Sequence, residues 1–232
     1  MTPDVLKRAA AHAALGFVKP GMRLGLGSGS TADHFIDALA AKASAGLEVV
    51  CIATSEVTRR RADAAGLRLS TLDETPELDL CIDGADEIDP SLRLIKGGGG
   101  AHVREKIVAA SARQMIVIAD QSKRVSALGA FPLPIEIINF GVRSTLRRLE
   151  SAGDSAGCRG PLALRMSGGR PFVTDNGNLI CDGAFGRINE PEKLAAAISA
   201  VPGVVDHGLF IGIASLALIA TPSGIETLRA RP

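Results

Sequence analysis

The chain has no tryptophan and no tyrosine, and aromatic residues make up only 3 % of its 232 positions. Ala, Val, Ile and Leu must therefore build the core, and a platform of stacking aromatics for single-stranded nucleic acid is lacking. Charge of one sign is missing too. The 26 Lys and Arg stand against 25 Asp and Glu, a formal net charge of +1, which gives no broad electrostatic footprint for DNA, RNA or anionic lipid. No apolar run suits a membrane: the longest, Leu209 to Ala220, falls short of the about 20 residues that a spanning helix needs. Met1 to Ala10 is polar and charged before it turns Ala-rich, which does not read as a secretory signal. The cysteines Cys51, Cys81, Cys158 and Cys181 form no CxxC pair, so buried reduced thiols and a cytoplasmic location are expected. His12, His34, His102 and His207 have no metal-ligand spacing. Surface or capping roles are expected for them, and no metal site.

What is present suits an ordinary globular chain. With 46 % hydrophobic and 22 % charged residues, the chain can bury a core. Its length fits one large domain or two small ones, at roughly 100–200 residues each. The first half alternates strand-like and helix-like segments. Arg8 to Phe17 reads as a helix stopped by Pro20-Gly21, and Met22 to Gly27 as a buried strand. Ala32 to Ala41 has helical spacing, Leu47 to Ala53 reads as a strand, and Glu56 to Ala65 as a charged helix. Leu78 to Ile82, Leu92 to Ile95 and Met115 to Ala119 are further strands, with a helix over His102 to Ala112. Such alternation predicts a parallel sheet with helices on both faces.

The pattern changes at Phe131-Pro132-Leu133-Pro134. Ile135 to Ile138, Leu162 to Met166, Phe172 to Thr174 and Leu179 to Cys181 read as strands. Val142 to Glu150 and Glu192 to Ala200 read as helices, and Asp175-Asn176-Gly177 as a hairpin turn. These elements predict a small split β-α-β domain. The apolar segment Gly208 to Thr221 is expected to return to the first sheet. The expected division is residues 1–130 and 206–232 for the large domain and 131–205 for the small one.

Three loops follow predicted strands, and ligands of open parallel sheets bind beyond the carboxyl ends of the strands. In Gly25-Leu26-Gly27-Ser28-Gly29-Ser30-Thr31, glycines let backbone N–H groups approach an anion while hydroxyls add donors. The equally simple reading is a strand-to-helix turn with a Ser or Thr cap. A dinucleotide fingerprint is incomplete, because Ser30 stands at its third glycine and the second strand ends in Ala53-Thr54-Ser55 without an acid. A Walker loop is absent. The second loop, Asp83-Gly84-Ala85-Asp86-Glu87, packs three carboxylates together at a strand end. Such crowding suits proton exchange with hydroxyls, or a divalent cation, or a solvated turn. The third, Lys96-Gly97-Gly98-Gly99-Gly100, sets a cation beside a wall of N–H groups that can stabilise an oxyanion. Glu105 lies one turn into the next helix, where it serves as a base or complements the helix dipole.

Taken together, Gly25–Thr31, Asp83–Ile88 and Lys96–Lys106 resemble the type A ribose-5-phosphate isomerases. Ile118–Lys123, Phe131–Pro134, Val173–Asn178 and Val201–Val205 match in the same order and spacing. The resemblance implies a Rossmann-like domain with helices on both faces of its sheet and a small ferredoxin-like α+β domain. It implies a cofactor-free interconversion of ribose 5-phosphate and ribulose 5-phosphate, with a small sugar phosphate as partner and a homodimer or homotetramer as the assembly. By position, Glu105 would shuttle the proton between C1 and C2. Asp83, with Asp86 beside it, would assist ring opening, and Lys96 would stabilise the enediolate. Ser28, Gly29, Ser30, Thr31, Gly84, Ala85, Gly97, Gly98, Gly99 and Lys123 would bind substrate, and Lys7 would approach the phosphate. Ser28 stands where threonine is commoner, and Gly100 and His102 where many members carry other small or uncharged residues. The rival readings are a sugar-phosphate deaminase or CoA transferase on a similar sheet, and a non-catalytic sugar-phosphate sensor. The joint presence of Asp83, Asp86, Lys96 and Glu105 argues against the last.

Overall fold

The computed structural model describes residues 1–229. The chain divides into two compact units. The first comprises Met1–Ala85, Arg104–Arg124 and the segment from Gly212. Its sheet has six strands, in the order Gly224–Arg229, Ala214–Thr221, Met115–Asp120, Leu80–Asp83, Arg23–Leu26 and Val50–Ala53. All neighbours are parallel except the first pair. The strand order reverses beside Arg23–Leu26, which has the next strand in sequence on one side and Leu80–Asp83 on the other. Crevices for ligands open at such a reversal, outside the carboxyl ends of the strands.

One face of this sheet presents Leu24, Leu26, Leu80, Ile82, Ile116, Ile118, Leu216 and Leu218. Against them pack Leu6, Ala10 and Ala14 of the helix Pro3–Ala14, and Phe35, Ile36 and Leu39 of the helix Ser30–Ser44. On the other face, Val108 sits so close to Gly25 that a Cβ there would lie 2.6 Å from its methyl group. Both faces are thus covered, which explains the near-continuous apolar strands. The first helix begins five residues before the expected start at Arg8. Thr2 caps it, its hydroxyl accepting from the Val5 N–H at 3.4 Å, with Pro3 in the first turn and Asp4 on the positive end of the dipole. The apolar Gly208–Thr221 segment does return to this sheet, pairing with Met115–Asp120 from Ala214 onward. The last strand, Gly224–Arg229, is an addition to the expected set. It is a polar edge strand paired on one side, so it lacks the apolar run that marks the others. The final residues of the expected 206–232 segment, 230–232, lie outside the described residues.

The second unit comprises Asp86–Val103 and Val125–Ile211. Its main sheet is antiparallel, in the order Val204–His207, Leu133–Ile137, Leu179–Gly183, Leu162–Leu164. With the helices Val142–Ser155 and Pro191–Ser199 this is the ferredoxin-like βαββαβ arrangement. Ile135, Ile137, Leu149, Cys181, Leu194 and Ile198 form its core. The stretch Asp86–Val103 clusters here rather than with residues 1–85, because Glu87–Ile88, Leu94–Ile95 and Leu209–Phe210 build a small sheet of their own. Where a strand was expected over Phe172 to Thr174, only a bridge between Val173 and Leu179 forms. Thr174 turns out of the ladder, its hydroxyl accepting from the N–H groups of Asn176 and Asn178. Just before it, Met166–Ser167 and Arg170–Pro171 make a short hairpin around Gly168-Gly169.

Candidate active site

Within the first unit, three adjacent parallel strands release the loops of interest at one edge. Arg23–Leu26 leads into Gly27–Ser30, Leu80–Asp83 into Gly84, and Met115–Asp120 into the turn Gln121–Lys123. Asp83 is fully buried, and its Oδ1 accepts from the N–H groups of Ser28 at 3.1 Å and Gly84 at 2.7 Å. Gly27 makes this fit possible: a Cβ there would fall 2.0 Å from Asp83 Oδ1. Two loops are thereby pinned to each other through one carboxylate.

The hydroxyls of the first loop divide. Ser28 Oγ turns inward to a cluster with Thr54, Ser55 and Thr58, at 2.8–2.9 Å. Its backbone, not its hydroxyl, therefore faces the Asp83 side. Ser30 Oγ accepts from Lys7 Nζ at 2.9 Å, so Lys7 stands beside this loop. Gly29, with φ of 101°, precedes the helix Ser30–Ser44 without any side-chain cap, so the N–H groups of the first turn are available to an anion. Lys123 closes a short turn capped by Asp120, whose Oδ1 accepts the Ser122 N–H at 2.9 Å. Glu105 is buried, at 4 % exposure, in the first turn of the helix His102–Ala110. Its neighbour Arg104 donates to Glu56 at 3.1 Å. Hydrogen bonds from Arg59 and then Arg104 hold the Glu56 carboxyl below the usual range.

In the second unit, Asp86 Oδ2 accepts the Gly98 N–H at 2.8 Å. Lys96 is 2 % exposed, its ammonium 5.5 Å from the centroid of the Phe210 ring. Gly97 takes φ of 106°, and Gly100, with φ of 81°, donates to the Gly97 carbonyl at 2.9 Å, so the four glycines close a tight turn. His102 lies fully buried under it, where a Cβ on Gly97 would meet Nδ1 at 2.8 Å. The expectation of a surface or capping role is corrected for His102, and also for His207. The latter is 6 % exposed and its Nδ1 accepts the Leu209 N–H at 3.2 Å. In each case the backbone folds onto the ring, an arrangement that sequence spacing does not reveal. Two further contacts have no signal in the motifs: Arg165 donates to the Gly97 and Gly98 carbonyls, and Phe172 packs against Gly100.

All four cysteines are buried and none is in a disulfide. Burial pushes the thiols of Cys51 and Cys181 up to about 12, so they remain protonated and unreactive at neutral pH.

Glycine-rich loops, a buried acid at a strand end and a second buried acid on a later helix suit an α/β enzyme with its site at the carboxyl ends of the strands. Comparison with known proteins makes the assignment specific. The family model for ribose 5-phosphate isomerase A (phosphoriboisomerase A) matches residues 50–224. The ribose-5-phosphate isomerase A of Sinorhizobium fredii is 56 % identical over 225 residues, covering 97 % of each chain. That of Parvibaculum lavamentivorans is 53 % identical over 231 residues, covering 99 % of this chain and all of the relative. Among solved structures, the ribose 5-phosphate isomerase of Plasmodium falciparum superposes with a TM-score of 0.93 at 38 % identity, over 99 % of this chain and 100 % of the other. A D-ribose-5-phosphate isomerase in complex with phospho-erythronic acid gives 0.91 at 34 % identity, over 99 % and 100 %. The chain belongs to the ribose 5-phosphate isomerase A family.

Proposed function

We propose that this protein interconverts D-ribose 5-phosphate and D-ribulose 5-phosphate through an enediolate, without a cofactor. The observation that carries the reading is the family match over residues 50–224, within which lie Asp83, Asp86, Lys96 and Glu105 together. The reaction exchanges oxidation level between C1 and C2 of one molecule, so it consumes no external oxidant or reductant.

The roles follow from the chemistry. The proton at C2 of the open-chain aldose is weakly acidic, and its removal needs a placed base. Glu105 takes it, and the C2–H electron pair moves into a C1–C2 double bond as O1 becomes anionic. Glu105 then returns the proton to C1 while the O2 proton passes to O1, which restores a hydroxyl at C1 and leaves O2 as the ketose carbonyl. Lys96 and the N–H groups of Gly97 and Gly99 stabilise the oxyanion, while the Gly98 N–H is held by Asp86. Asp83, assisted by Asp86, moves protons on the ring and chain hydroxyls. Phosphate binding falls to the turn Ser28–Thr31, with Lys7 and Lys123 as cations and Gly84 and Ala85 lining the substrate. The buried setting of Glu105 supports its role, since a merely dipole-complementing acid gains nothing from burial. The ligand named in the related complex, phospho-erythronic acid, joins a phosphate to a planar carboxylate, the shape and charge of an enediolate end.

The test is conversion of ribose 5-phosphate by the purified protein in excess EDTA. Turnover there supports the metal-free reading. Activity lost in EDTA and restored by a divalent ion would reassign Asp83 and Asp86 as metal ligands, and ammonia release from an amino-sugar phosphate would point to a deaminase. We also propose a cytoplasmic homodimer or homotetramer. The exposure of Phe140 at 85 % and Ile138 at 49 % supports assembly. Light scattering on the eluting protein decides it, a monomer at micromolar concentration overturning the proposal.

A further inference from the structure

We propose that Arg165 is a positioning residue for the oxyanion loop: it clamps the carbonyls of Gly97 and Gly98 and so sets the direction of the Gly98 and Gly99 N–H groups. The inference rests on the reading of that loop as the enediolate-stabilising element.

Four consecutive glycines carry no side chain to select a conformation, and each has the widest backbone freedom of any residue. The Gly100 N–H to Gly97 carbonyl bond closes the turn, but the Gly98 and Gly99 peptides within it are fixed only by contacts from outside. Arg165 is suited to that task and is itself held. Its N–H donates to the Ile180 carbonyl, and its own carbonyl accepts from Phe172, both at 2.8 Å. Its Nε and Nη2 fork onto Asp182 at 2.9 and 2.5 Å, which fixes the guanidinium plane. Nη1 is left to point at the loop. It donates to the Gly97 carbonyl at 2.8 Å and the Gly98 carbonyl at 3.1 Å.

The consequence follows from peptide planarity. In a trans peptide, the C=O of one residue and the N–H of the next point in opposite directions. Fixing the Gly97 oxygen therefore aims the Gly98 N–H away from Arg165, and it is found on Asp86 Oδ2 at 2.8 Å. That peptide is gripped at both ends. Fixing the Gly98 oxygen aims the Gly99 N–H away from Arg165 in the same manner. Phe172 closes the far end of the turn: a Cβ on Gly100 would meet its ring at 2.5 Å, and the guanidinium lies 5.9 Å from the ring centroid. Lysine cannot substitute, because one ammonium cannot fork Asp182 and bridge two carbonyls in a fixed plane.

The experiment compares wild type with Arg165→Ala and Arg165→Lys. Arg159→Ala serves as a control that removes an 85 % exposed arginine paired with Asp154 in the same unit. We measure kcat and KM for ribose 5-phosphate, the thermal midpoint, and amide exchange of the segment spanning Lys96–Ala101. Arg165→Ala is expected to lose roughly 100-fold in kcat with KM within a few fold, the scale on which misplacement by an ångström acts. Exchange across Gly98–Gly100 rises, and added guanidine restores part of kcat. Arg165→Lys stays at least about 10-fold down, and Arg159→Ala matches wild type. A folded Arg165→Ala with wild-type kcat overturns the proposal. So does a kcat loss with unchanged loop exchange and no guanidine rescue. If Arg165→Ala does not fold, wild-type kcat in Arg165→Lys overturns it equally. A wild-type protein without isomerase activity refutes the assigned reaction instead, and the exchange comparison still decides the clamp.

Discussion

Replacing Gly27 by alanine adds one methyl group at the tightest place in the first unit. The new Cβ would fall 2.0 Å from Asp83 Oδ1, 2.2 Å from its Cγ and 2.5 Å from its Cα. Ordinary contacts begin near 3.4 Å, so something must move by about 1 Å or more in an interior packed like a crystal. Gly27 itself cannot yield easily. Its N–H donates to the Ile82 carbonyl at 2.9 Å, and its carbonyl accepts the Thr58 hydroxyl at 3.1 Å. The Asp83 backbone is held in the sheet opposite Val117, which leaves the carboxylate to swing off the Ser28 and Gly84 N–H groups. Overpacking of this kind costs about 1–3 kcal/mol of stability. Displacing a group that moves protons by an ångström costs roughly 100-fold in kcat/KM, about 2.7 kcal/mol of transition-state stabilisation. Urea unfolding and steady-state kinetics on Gly27→Ala measure both. Gly16→Ala is the control: nothing lies within 4 Å of its added methyl, and alanine there is expected to be neutral or to stabilise by about 0.4–1 kcal/mol. A Gly27→Ala protein with wild-type kcat/KM would show that Asp83 does not need the position this glycine gives it.

Glu105→Gln is expected to lower kcat by several orders of magnitude with a modest change in KM, because the amide keeps the shape of the base and cannot take a proton; near-normal turnover in steady-state assays would remove Glu105 from the mechanism. Glu87→Gln replaces a buried acceptor of the Gly129 and Phe131 N–H groups, each at 2.6 Å, with an amide that turns a donor toward one of them. A loss of about 1–3 kcal/mol in urea unfolding is expected, and an unchanged midpoint contradicts it. The buried thiols predict an alkaline weakness. Cys51 and Cys181 shift from the ordinary 9.0 up to about 12 in the folded protein, so between those values the unfolded chain gives up protons that the folded one keeps. The stability these groups contribute is fully present below pH 9 and is lost as pH rises toward 12. Unfolding midpoints measured from pH 8 to pH 11 check this, and a Cys51→Ala, Cys181→Ala protein has the shallower decline.

Much of this architecture is readable before folding, for definite reasons. Parallel strands buried on both faces announce themselves as short apolar runs, and Leu80–Asp83 and Met115–Asp120 lie within a few residues of their expected places. Topology is another matter. That Ala214–Thr221 pairs with Met115–Asp120 rather than with some other strand follows from the packing of Leu216 and Leu218 into the core under the first helix, a long-range fact that a local pattern does not hold. The strand Gly224–Arg229 is nearly all exposed, so it offers no apolar alternation to read. The start of the first helix lies before the expected Arg8, although its signal is in the sequence: Thr2-Pro3-Asp4 is a cap, a first-turn proline and a first-turn acid.

The acidic loop shows what spacing hides. Asp83, Asp86 and Glu87 lie within five residues, and proximity along the chain suggests one crowded cluster exchanging protons. The fold turns them to separate partners. Asp83 takes the Ser28 and Gly84 N–H groups in the first unit. Asp86 takes the Gly98 N–H in the second, and Glu87 the Gly129 and Phe131 N–H groups. Asp86 stands in a bend and Glu87 opens the strand Glu87–Ile88, so the two neighbours leave the chain from different backbone geometry. Glu87 thereby becomes a structural anchor for the chain around Gly129–Phe131, while Asp86 fixes one peptide of the glycine turn. Lone glycines tell the same story in reverse. Gly27 and Gly98 look alike in the sequence as members of flexible loops, yet an added Cβ would strike Asp83 at the first and Asp86, at 2.8 Å, at the second. Each glycine is small because a carboxylate needs its space. The pairing of a glycine with an acid, rather than the glycine run or the acid run alone, is what seats the two aspartates of the proposed catalytic set.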